Sequence, residues 1–181
     1  MVVEKTHIII KENCACFSGA VFLLLGSNLG DRLYYLNQAV VELENCGIKC
    51  VKKSSVYETD SWGYDDSPYL NQVLECETFF PPENLLEQTQ KIETLLGRIR
   101  EGKGYQARTI DIDILFYDNK IVDIPRLIIP HPKIALRRFV LMPMCEIAPD
   151  FLHPVSGKTV CQLLEECEDK GKVEKIHLQN P

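Results

Sequence analysis

The segment 108–117 constrains the fold of this chain more than any other stretch, because isoleucine and aspartate alternate along it. Isoleucines recur at every second position, and a period of two predicts a β-strand with one buried face. The same period places Asp111 and Asp113 together on the other face, about 6.5 Å apart along the strand. Two carboxylates on so apolar a strand are costly unless positive charge lies beside them. The strand therefore predicts either a site for hard divalent cations or two structural ion pairs with arginines.

Hydrophobic periodicity elsewhere predicts the order strand, helix, strand, strand, helix, strand and then further helices. This order is typical of a ferredoxin-like α+β domain, a split βαβ sandwich whose antiparallel sheet carries helices on its faces, here with a C-terminal extension. The other predicted strands are 20–25, 48–57 and 69–79, with short extended pieces at 121–122 and 129–132. The predicted helices run from the N-cap Asp31 to Gly47, from Pro82 to Gly97, and over 137–148 and 159–167, with an interruption at Pro143.

Length and charge limit the possible classes of protein. A chain of 181 residues is long enough to bury one sizeable core, and we expect a single domain over 20–168. Residues 1–19 are then an N-terminal extension, either disordered or the product of an upstream start, and 169–181 are a C-terminal tail. The formal net charge of -6 argues against nucleic-acid binding. No apolar run reaches the ~20 residues that span a bilayer, so we expect a cytoplasmic protein.

The eight cysteines form no CxxC pair and accompany only four histidines. Zinc is therefore not expected, and neither is a disulfide framework in a cytoplasmic chain of this length. Buried or surface free thiols are the simplest interpretation.

Basic residues cluster on both sides of the acidic strand. Clustered arginines on an acidic chain favour a polyphosphate ligand, although a solvated face is the alternative. A P-loop is not present, because the glycines at 97–104 lack the following Ser or Thr and precede a strand. The glycines of the turn at 26–30 do not form the GxGxxG pattern of a dinucleotide fingerprint. The basic set is Arg98, Arg100, Lys103, Arg108, Arg137 and Arg138.

A second group of residues could recognise a flat heterocycle or a nucleotide. Aromatic rings can stack on such a ligand, although each alone is more often part of a core. Gln90 and Glu93 share a helix face, and His131 is held between two prolines; surface and structural roles are the alternatives. The aromatic candidates are Trp62, Tyr69 and Phe139, and the polar candidates for reading a ring edge are Asn71 and Thr59.

Several segments, in this order, resemble the family of 6-hydroxymethyl-7,8-dihydropterin pyrophosphokinases (HPPK). The resemblance covers about 21–164 and leaves out both ends of the chain. The segments are LGSNLGD at 25–31, YET at 57–59, YLN at 69–71, QKIE at 90–93 with GR at 97–98, RTIDID at 108–113, PHP at 130–132 and RFVL at 138–141.

The resemblance implies that ATP donates its terminal diphosphate to the hydroxymethyl group of the pterin, releasing AMP. ATP and the pterin would be the partners of a cytoplasmic monomer that binds neither nucleic acid nor membrane. Two Mg²⁺ ions would bind Asp111 and Asp113, and Arg98 and Arg108 would complete the catalytic set. ATP-binding positions would be Gln90, Glu93, Arg98, Arg100, Arg108, Arg126, His131 and Arg137; pterin-binding positions would be Thr59, Trp62, Tyr69, Asn71, Tyr105 and Phe139.

One segment departs from the family pattern. Residues 100–107 would form a lid over the site, yet Gly104 stands where the family has a basic residue, and Gln106 stands where it has a glycine. A pterin- or nucleotide-binding module with impaired catalysis is therefore an alternative. A nucleotidyl-transferring or phosphodiester-cleaving enzyme with the same aspartate pair is a further one, although the aromatic pterin positions argue against it.

Overall fold

Strand β1, Val21–Ser27, lies inside the main sheet, and all seven of its residues are buried. It pairs antiparallel with β4, Tyr69–Glu77, on one side and with β5, Asp111–Tyr117, on the other. The structure, a computed structural model, describes residues 20–60, 67–99 and 107–177. The remaining elements are α1 (Arg32–Asn45), β2 (Lys49–Lys53), β3 (Tyr57–Thr59), α2 (Pro82–Leu95), β6 (Val122–Ile124), β7 (Leu127–Ile129), a 3₁₀ turn (Ile134–Leu136), α3 (Arg138–Ile147), α4 (Val160–Glu166) and β8 (Val173–Lys175).

The main sheet of the described residues has the strand order β5-β1-β4-β3-β8, and β2 also pairs with β4. Every pairing in it is antiparallel. Strands β6 and β7 form a separate hairpin. The chain is thus a mixed α/β protein built on an antiparallel sheet with helices, as the sequence predicted at this level.

Alternation along the strands divides the core into two hydrophobic clusters. Leu23 and Leu25 of β1 belong to one cluster, together with side chains of α1 and α2. Phe22 and Leu24 belong to the other, together with side chains of α3 and α4. Successive side chains of a strand point to opposite faces, so the sheet carries helices on both faces.

Helix ends follow the sequence signals. The Asp31 carboxylate accepts the Tyr34 N–H at 3.0 Å and caps α1. Gly47 and Gly97 take φ of +91° and +85° just after α1 and α2, where a left-handed residue favours glycine. Thr159 and Gln162 form a reciprocal capping box at the start of α4.

The single strand predicted over 48–57 is instead two strands, β2 and β3. Ser54 lies between them, and its hydroxyl accepts the Val73 N–H at 3.0 Å. In a regular pair of strands the Val73 N–H would donate to a backbone carbonyl. Here it donates to the Ser54 hydroxyl instead, so the regular pairing with β4 is interrupted. The β-branched composition predicted the extended conformation but not this local competition.

Three other predictions need correction. Pro143 does not interrupt α3 but lies inside it, because one proline removes only one hydrogen bond of a buried helix. The short piece predicted at 121–122 is the first strand of the β6–β7 hairpin. Part of the predicted C-terminal tail is strand β8, which pairs with β3. Strands β6 and β8 have three residues each, which is too short for an alternating pattern to be recognised in the sequence.

In the part of the chain that the structure describes, no helix is long and apolar enough to cross a membrane. The cysteines in the same part, from Cys46 to Cys167, are all free thiols.

Candidate functional site

A pocket of about 260 Å³ opens on the α3 side of the sheet, where β1, β4 and β5 meet the end of β3. It brings together residues that are far apart in the sequence and that the sequence analysis had placed in several separate groups. Its lining residues are Leu24, Gly26, Thr59, Asp60, Tyr69, Asn71, Arg98, Arg108, Asp111, Asp113, His131, Arg137 and Phe139.

The two aspartates occupy the β5 wall of this pocket. Asp111 lies opposite Gly26 of β1, and Asp113 lies opposite Leu24. The Asp111 carboxylate accepts hydrogen bonds from the guanidinium groups of Arg98 and Arg108. Asp113 has no ion pair with any described residue. Asp111 therefore has the arginine ion pairs that a purely structural role for the two aspartates predicts. Asp113 does not form such a pair with a described residue.

The surroundings shift the pKa values of the two aspartates in opposite directions. Burial acts to raise the pKa of Asp111, but the positive charges of Arg108 and Arg98 outweigh it and lower that pKa. Burial, followed by the negative charge of Asp111, raises the pKa of Asp113 to about 7. The positive charges of Arg137 and Arg98 act in the other direction but do not outweigh these two causes, so the charge of Asp113 is compensated only in part.

The donor set fits a hard divalent cation shared with a substrate. Among the described residues there is no group of three or more His, Cys, Asp or Glu side chains able to hold a metal alone. Two carboxylates suit Mg²⁺, which usually takes one or two protein carboxylates and completes its shell with phosphate oxygens and water. The observation in favour of such an ion is Asp113 itself, a buried carboxyl beside Asp111 whose pKa is raised because the nearby arginines compensate its charge only in part.

Glu93 supports this wall from the opposite face of the sheet. Its side chain is 2% exposed, and it accepts hydrogen bonds from Arg98 and from the Ile112 N–H at 2.8 Å. Arg98 therefore bridges two carboxylates, and Glu93 fixes the backbone between the two aspartates. The predicted contact of Glu93 with ATP stays a prediction.

A second part of the pocket is built for a flat ligand with polar edges. Asn71 is buried, and its Nδ2 donates to Thr59 Oγ1 at 2.8 Å. Gly26 lies directly opposite Asn71, and a Cβ atom there would stand 3.2 Å from Asn71 Oδ1. Tyr69 and Phe139 line the same space. The glycine keeps the floor open, while the amide and the rings offer hydrogen bonds and stacking surfaces.

His131 and Arg137 lie at the border between the two parts of the pocket. Burial, with help from the positive charges of Arg137 and Lys133, lowers the pKa of His131 to about 4, so its ring is neutral at pH 7. Its Nδ1 accepts the Lys133 N–H at 3.2 Å, which leaves the proton on Nε2 as a donor. The Arg137 guanidinium lies 5.4 Å from the centroid of the Phe139 ring, within cation–π range.

Some predicted residues lie apart from this pocket. Gln90 lies on α2 beside Arg126, whose guanidinium donates to its Oε1 at 3.5 Å, and Gln90 also lines a separate shallow hollow on that helix. These two residues lie together, but neither lines the main pocket. Three further predicted site residues, Arg100, Trp62 and Tyr105, fall outside the described residues, as do Gly104 and Gln106 of the predicted lid.

Sequence reasoning missed several residues of the site. Leu24, Gly26 and Asp60 line the pocket without having been predicted there. Asn28 lines no wall, but its Oδ1 accepts the Arg108 N–H at 2.8 Å and its Nδ2 donates to the Ser67 carbonyl at 3.4 Å. The compact GSNLG turn that follows β1 was the available signal for Gly26 and Asn28.

The fold and the pocket define a candidate phosphoryl-transfer enzyme, because carboxylates, arginines and a ring-lined space lie together with no dedicated nucleophile. Residues 22–149 match the family described as 7,8-dihydro-6-hydroxymethylpterin-pyrophosphokinase (HPPK). The chain belongs to this family, as the sequence motifs predicted.

Named relatives agree with this assignment. The chain is 45% identical over 128 residues to the 2-amino-4-hydroxy-6-hydroxymethyldihydropteridine pyrophosphokinase of Bacillus subtilis, covering 70% of this chain and 76% of that protein. It is 40% identical over 157 residues to the protein of the same name from Methylorubrum extorquens, covering 86% of this chain and 97% of that one.

Two longer proteins are also similar. The chain is 40% identical to the folic acid synthesis protein fol1 of Pneumocystis carinii over 88% of its length, but spans only 22% of that protein. A crystal structure of a triple mutant of HPPK-DHPS from Plasmodium falciparum with SDX-DHP shares the fold, with a TM-score of 0.67 at 18% identity. That match covers 90% of this chain and 46% of the other.

Proposed function

We propose that this chain transfers the terminal diphosphate of ATP to 6-hydroxymethyl-7,8-dihydropterin, a step of folate biosynthesis. The pterin hydroxyl oxygen forms a bond to the β-phosphorus, the bond from that phosphorus to the α-phosphate oxygen breaks, and the hydroxyl proton is released. The products are AMP and the pterin diphosphate. The observation that carries the proposal is one pocket that holds both a carboxylate pair and a polar, ring-lined space.

Asp111 and Asp113 would hold two Mg²⁺ ions. Such ions, when bound, neutralise phosphate charge and support the attacking and leaving oxygens of a displacement. Asp113 supports this assignment because it is a buried carboxyl whose charge the nearby arginines compensate only in part. Asp111 already has two arginine partners, so we expect Arg98 and Arg108 to turn part of their hydrogen bonding toward phosphate oxygens when ATP binds.

The polyphosphate would lie along the cationic side of the pocket. Arg98, Arg108 and Arg137 line this side and carry fixed positive charge, and the neutral His131 offers a donor. These groups need only to position and stabilise charge, which is what phosphoryl transfer requires of a protein. Further ATP contacts would come from Gln90, Glu93, Arg100 and Arg126.

The pterin would lie between Tyr69 and Phe139. The Asn71 amide, oriented by its bond to Thr59, would read the polar edge of the ring. An amide presents a donor and an acceptor side by side, which suits a pterin edge with the same pattern. Trp62 and Tyr105, which lie outside the described residues, would cover the ring.

The finer structural expectations remain part of the proposal. The order becomes βαββαβ when β2 and β3, which both pair with β4, are counted as one interrupted strand. This order and the antiparallel neighbours β5-β1-β4-β3 support a ferredoxin-like sandwich, in which strand β8 is an addition. We further propose a catalytic domain over about 20–168 in a cytoplasmic monomer that binds neither nucleic acid nor membrane.

One assay tests the function. Protein incubated with ATP and Mg²⁺ is expected to release AMP only when the reduced pterin is present, with one pterin diphosphate formed for each AMP. AMP release without pterin would favour a nucleotidyl-transferring or phosphodiester-cleaving enzyme. Pterin binding without AMP release would favour a binding module. Either result would overturn the proposal.

A further inference from the structure

Glu146, near the end of α3, accepts four hydrogen bonds from β3, from β8 and from the segment just before β3. Its Oε2 accepts the Ser55 N–H at 3.1 Å and the Tyr57 O–H at 2.8 Å. Its Oε1 accepts the Ser55 hydroxyl at 2.8 Å and the Lys175 ammonium at 3.2 Å. One carboxylate therefore joins α3 to β3, to the segment before β3, and to β8.

The elements joined by Glu146 carry two sides of the ring-lined space. Strand β3 continues from Tyr57 to Thr59, which lines the pocket. Tyr57 also lies directly opposite Asn71, the partner of Thr59. Helix α3 begins at Arg138, so Phe139 lies in its first turn and also lines the pocket. Glu146 itself does not line the pocket, and it could influence a ligand only through these neighbours.

The arrangement of donors makes this joint stiff. All four contacts run from a donor to the carboxylate, so its full acceptor capacity is used. The Tyr57 side is buried and the Glu146 side chain is 29% exposed. Hydrogen bonds to a charged acceptor are stronger than neutral ones, because the charge shortens and strengthens them. A shift of α3 along the sheet would break several of them at once.

We propose that Glu146 is a positioning residue for pterin recognition, which holds Phe139 of α3 at a fixed distance from Thr59 and Asn71 of the sheet. This inference rests on the proposed function. It assigns Glu146 chiefly to the ring side of the pocket, because Asp111 and Asp113 lie on β5, Arg108 lies just before β5 and Arg98 lies just after α2, and Glu146 contacts none of these segments. Arg137, at the N-cap of α3, is the residue of the phosphate side that α3 carries.

The test compares KM for the pterin, KM for ATP and kcat in three variants. Glu146→Ala is expected to raise KM for the pterin about tenfold, since a small displacement of a positioning group costs that much or more. KM for ATP and kcat are expected to stay within about threefold, since Asp111, Asp113 and the arginines beside them do not depend on α3, and of the phosphate-side residues named above α3 carries Arg137 alone.

The second and third variants separate positioning from loss of folding. Glu146→Gln can keep acceptors for the Ser55 N–H and the Tyr57 O–H, so we expect it to restore KM for the pterin to within about threefold. Tyr57→Phe removes a single bond, and a rise of about threefold is expected. The Tyr57→Phe variant tests the inference if Glu146→Ala fails to fold. Glu166→Ala is the matched control, since Glu166 pairs with Lys158 on α4 away from the pocket.

Three results would overturn the inference. They are a folded Glu146→Ala variant with an unchanged KM for the pterin, an equal rise in both KM values, and a Glu166→Ala control that behaves like Glu146→Ala. Should Glu146→Ala not fold, an unchanged KM for the pterin in Tyr57→Phe would overturn it too. Wild-type protein that releases no AMP with pterin would instead overturn the proposed function, and the positioning role with it.

Discussion

Asp111 and Asp113 lie two positions apart on one strand, yet the protein surrounds them differently. Two guanidinium groups neutralise Asp111, whereas Asp113 faces the pocket without an ion pair to any described residue. The fixed cations thus hold Asp111 ionised, whereas the ionised form of Asp113 is disfavoured and would be stabilised by a cation that arrives with the substrate. Two aspartates on the same face of one strand therefore have different electrostatic environments.

Gly26 sets the space between this carboxylate pair and Asn71. In Gly26→Ala, the new Cβ would lie 3.2 Å from Asn71 Oδ1, and Asn71 is held by Thr59. We expect KM for the pterin to rise about tenfold while the fold loses only about 1 kcal/mol. Steady-state kinetics with each substrate varied in turn, and urea unfolding, measure the two effects. An unchanged KM for the pterin would show that this contact does not bound the ring site.

Arg98 and Arg126 are both predicted ATP contacts, but only Arg98 is expected to matter for folding. Arg98→Ala removes the guanidinium beside buried Glu93, and losing one member of such a pair costs about 3 kcal/mol. Arg126→Ala removes only an exposed contact with Gln90 and is expected to cost less than about 0.5 kcal/mol. Free energies of unfolding in urea measure both. Equal losses would contradict the structural role of Arg98.

At this scale the pocket brings together several of the charged and aromatic residues that the sequence singled out, and their roles in binding and catalysis stay predictions. Alternation along 108–117 was enough to place Asp111 and Asp113 on one face. Gly26 and Asn28 could not be assigned in the same way, because their roles depend on what lies across the sheet and at the loop ends. A glycine or an asparagine in a turn carries no signal of a distant partner.

At the scale of elements, Glu146 connects α3 to β3 and β8, and this connection is expected to depend on pH. Burial acts to raise the pKa of Glu146, but hydrogen bonds from Ser55 and Tyr57, and the Lys175 ammonium, lower it overall. Because the pKa of Glu146 is lower in the folded state than its ordinary value of 4.5, ionised Glu146 stabilises the folded protein at pH values above 4.5. This contribution is lost as the pH falls through the folded-state pKa.

Glu146→Gln removes the titrating group while keeping its size. We expect the variant to be less stable than wild type by about 1 kcal/mol at pH 7, and by less at pH 3, because pH 3 lies below the ordinary pKa of 4.5 and part of the stabilisation by ionised Glu146 is already lost there. Tyr57 and Cys145 beside it have pKa values raised to about 12, so they do not titrate in this range. Urea unfolding at both pH values is the measurement. A difference that does not change with pH would contradict it.

Elements with long periodic patterns were predictable, and short or coupled ones were not. Helix α1 has an aspartate N-cap, α2 has a proline at its first position, and both have apolar stripes and a glycine just after the end. Both begin and end close to the predicted residues. The break between β2 and β3 depends on a serine that competes for a ladder bond from β4. Strand β8 depends on a neighbour more than a hundred residues away in sequence. Both features thus depend on residues that are distant in the sequence, which a local sequence pattern does not reveal.

At the scale of the whole molecule, the sheet separates two hydrophobic clusters, and only one of them supports α3 and the ring side of the pocket. Leu43 of α1 and Leu141 of α3 are both fully buried, one in each cluster. Alanine at either position is expected to cost about 2–5 kcal/mol through the cavity it leaves.

The kinetic effects of these two variants are expected to differ. Leu141→Ala should raise KM for the pterin, because α3 carries Phe139, whereas Leu43→Ala should leave it unchanged in the folded protein. Thermal unfolding and steady-state kinetics on both variants provide the comparison. A rise of equal size in both would mean that the sheet transmits every core defect to the pocket.

The central claim is that the carboxylate pair of β5 binds the metal ions that ATP brings to the pocket. The most direct measurement is Mg²⁺-dependent AMP release, in the presence of the pterin, by wild type, Asp113→Asn and the control Asp123→Asn on the β6–β7 hairpin. We expect Asp113→Asn to lose activity by about a thousandfold with its fold intact, and the control to match wild type. Near-normal, Mg²⁺-dependent turnover by Asp113→Asn would contradict the claim.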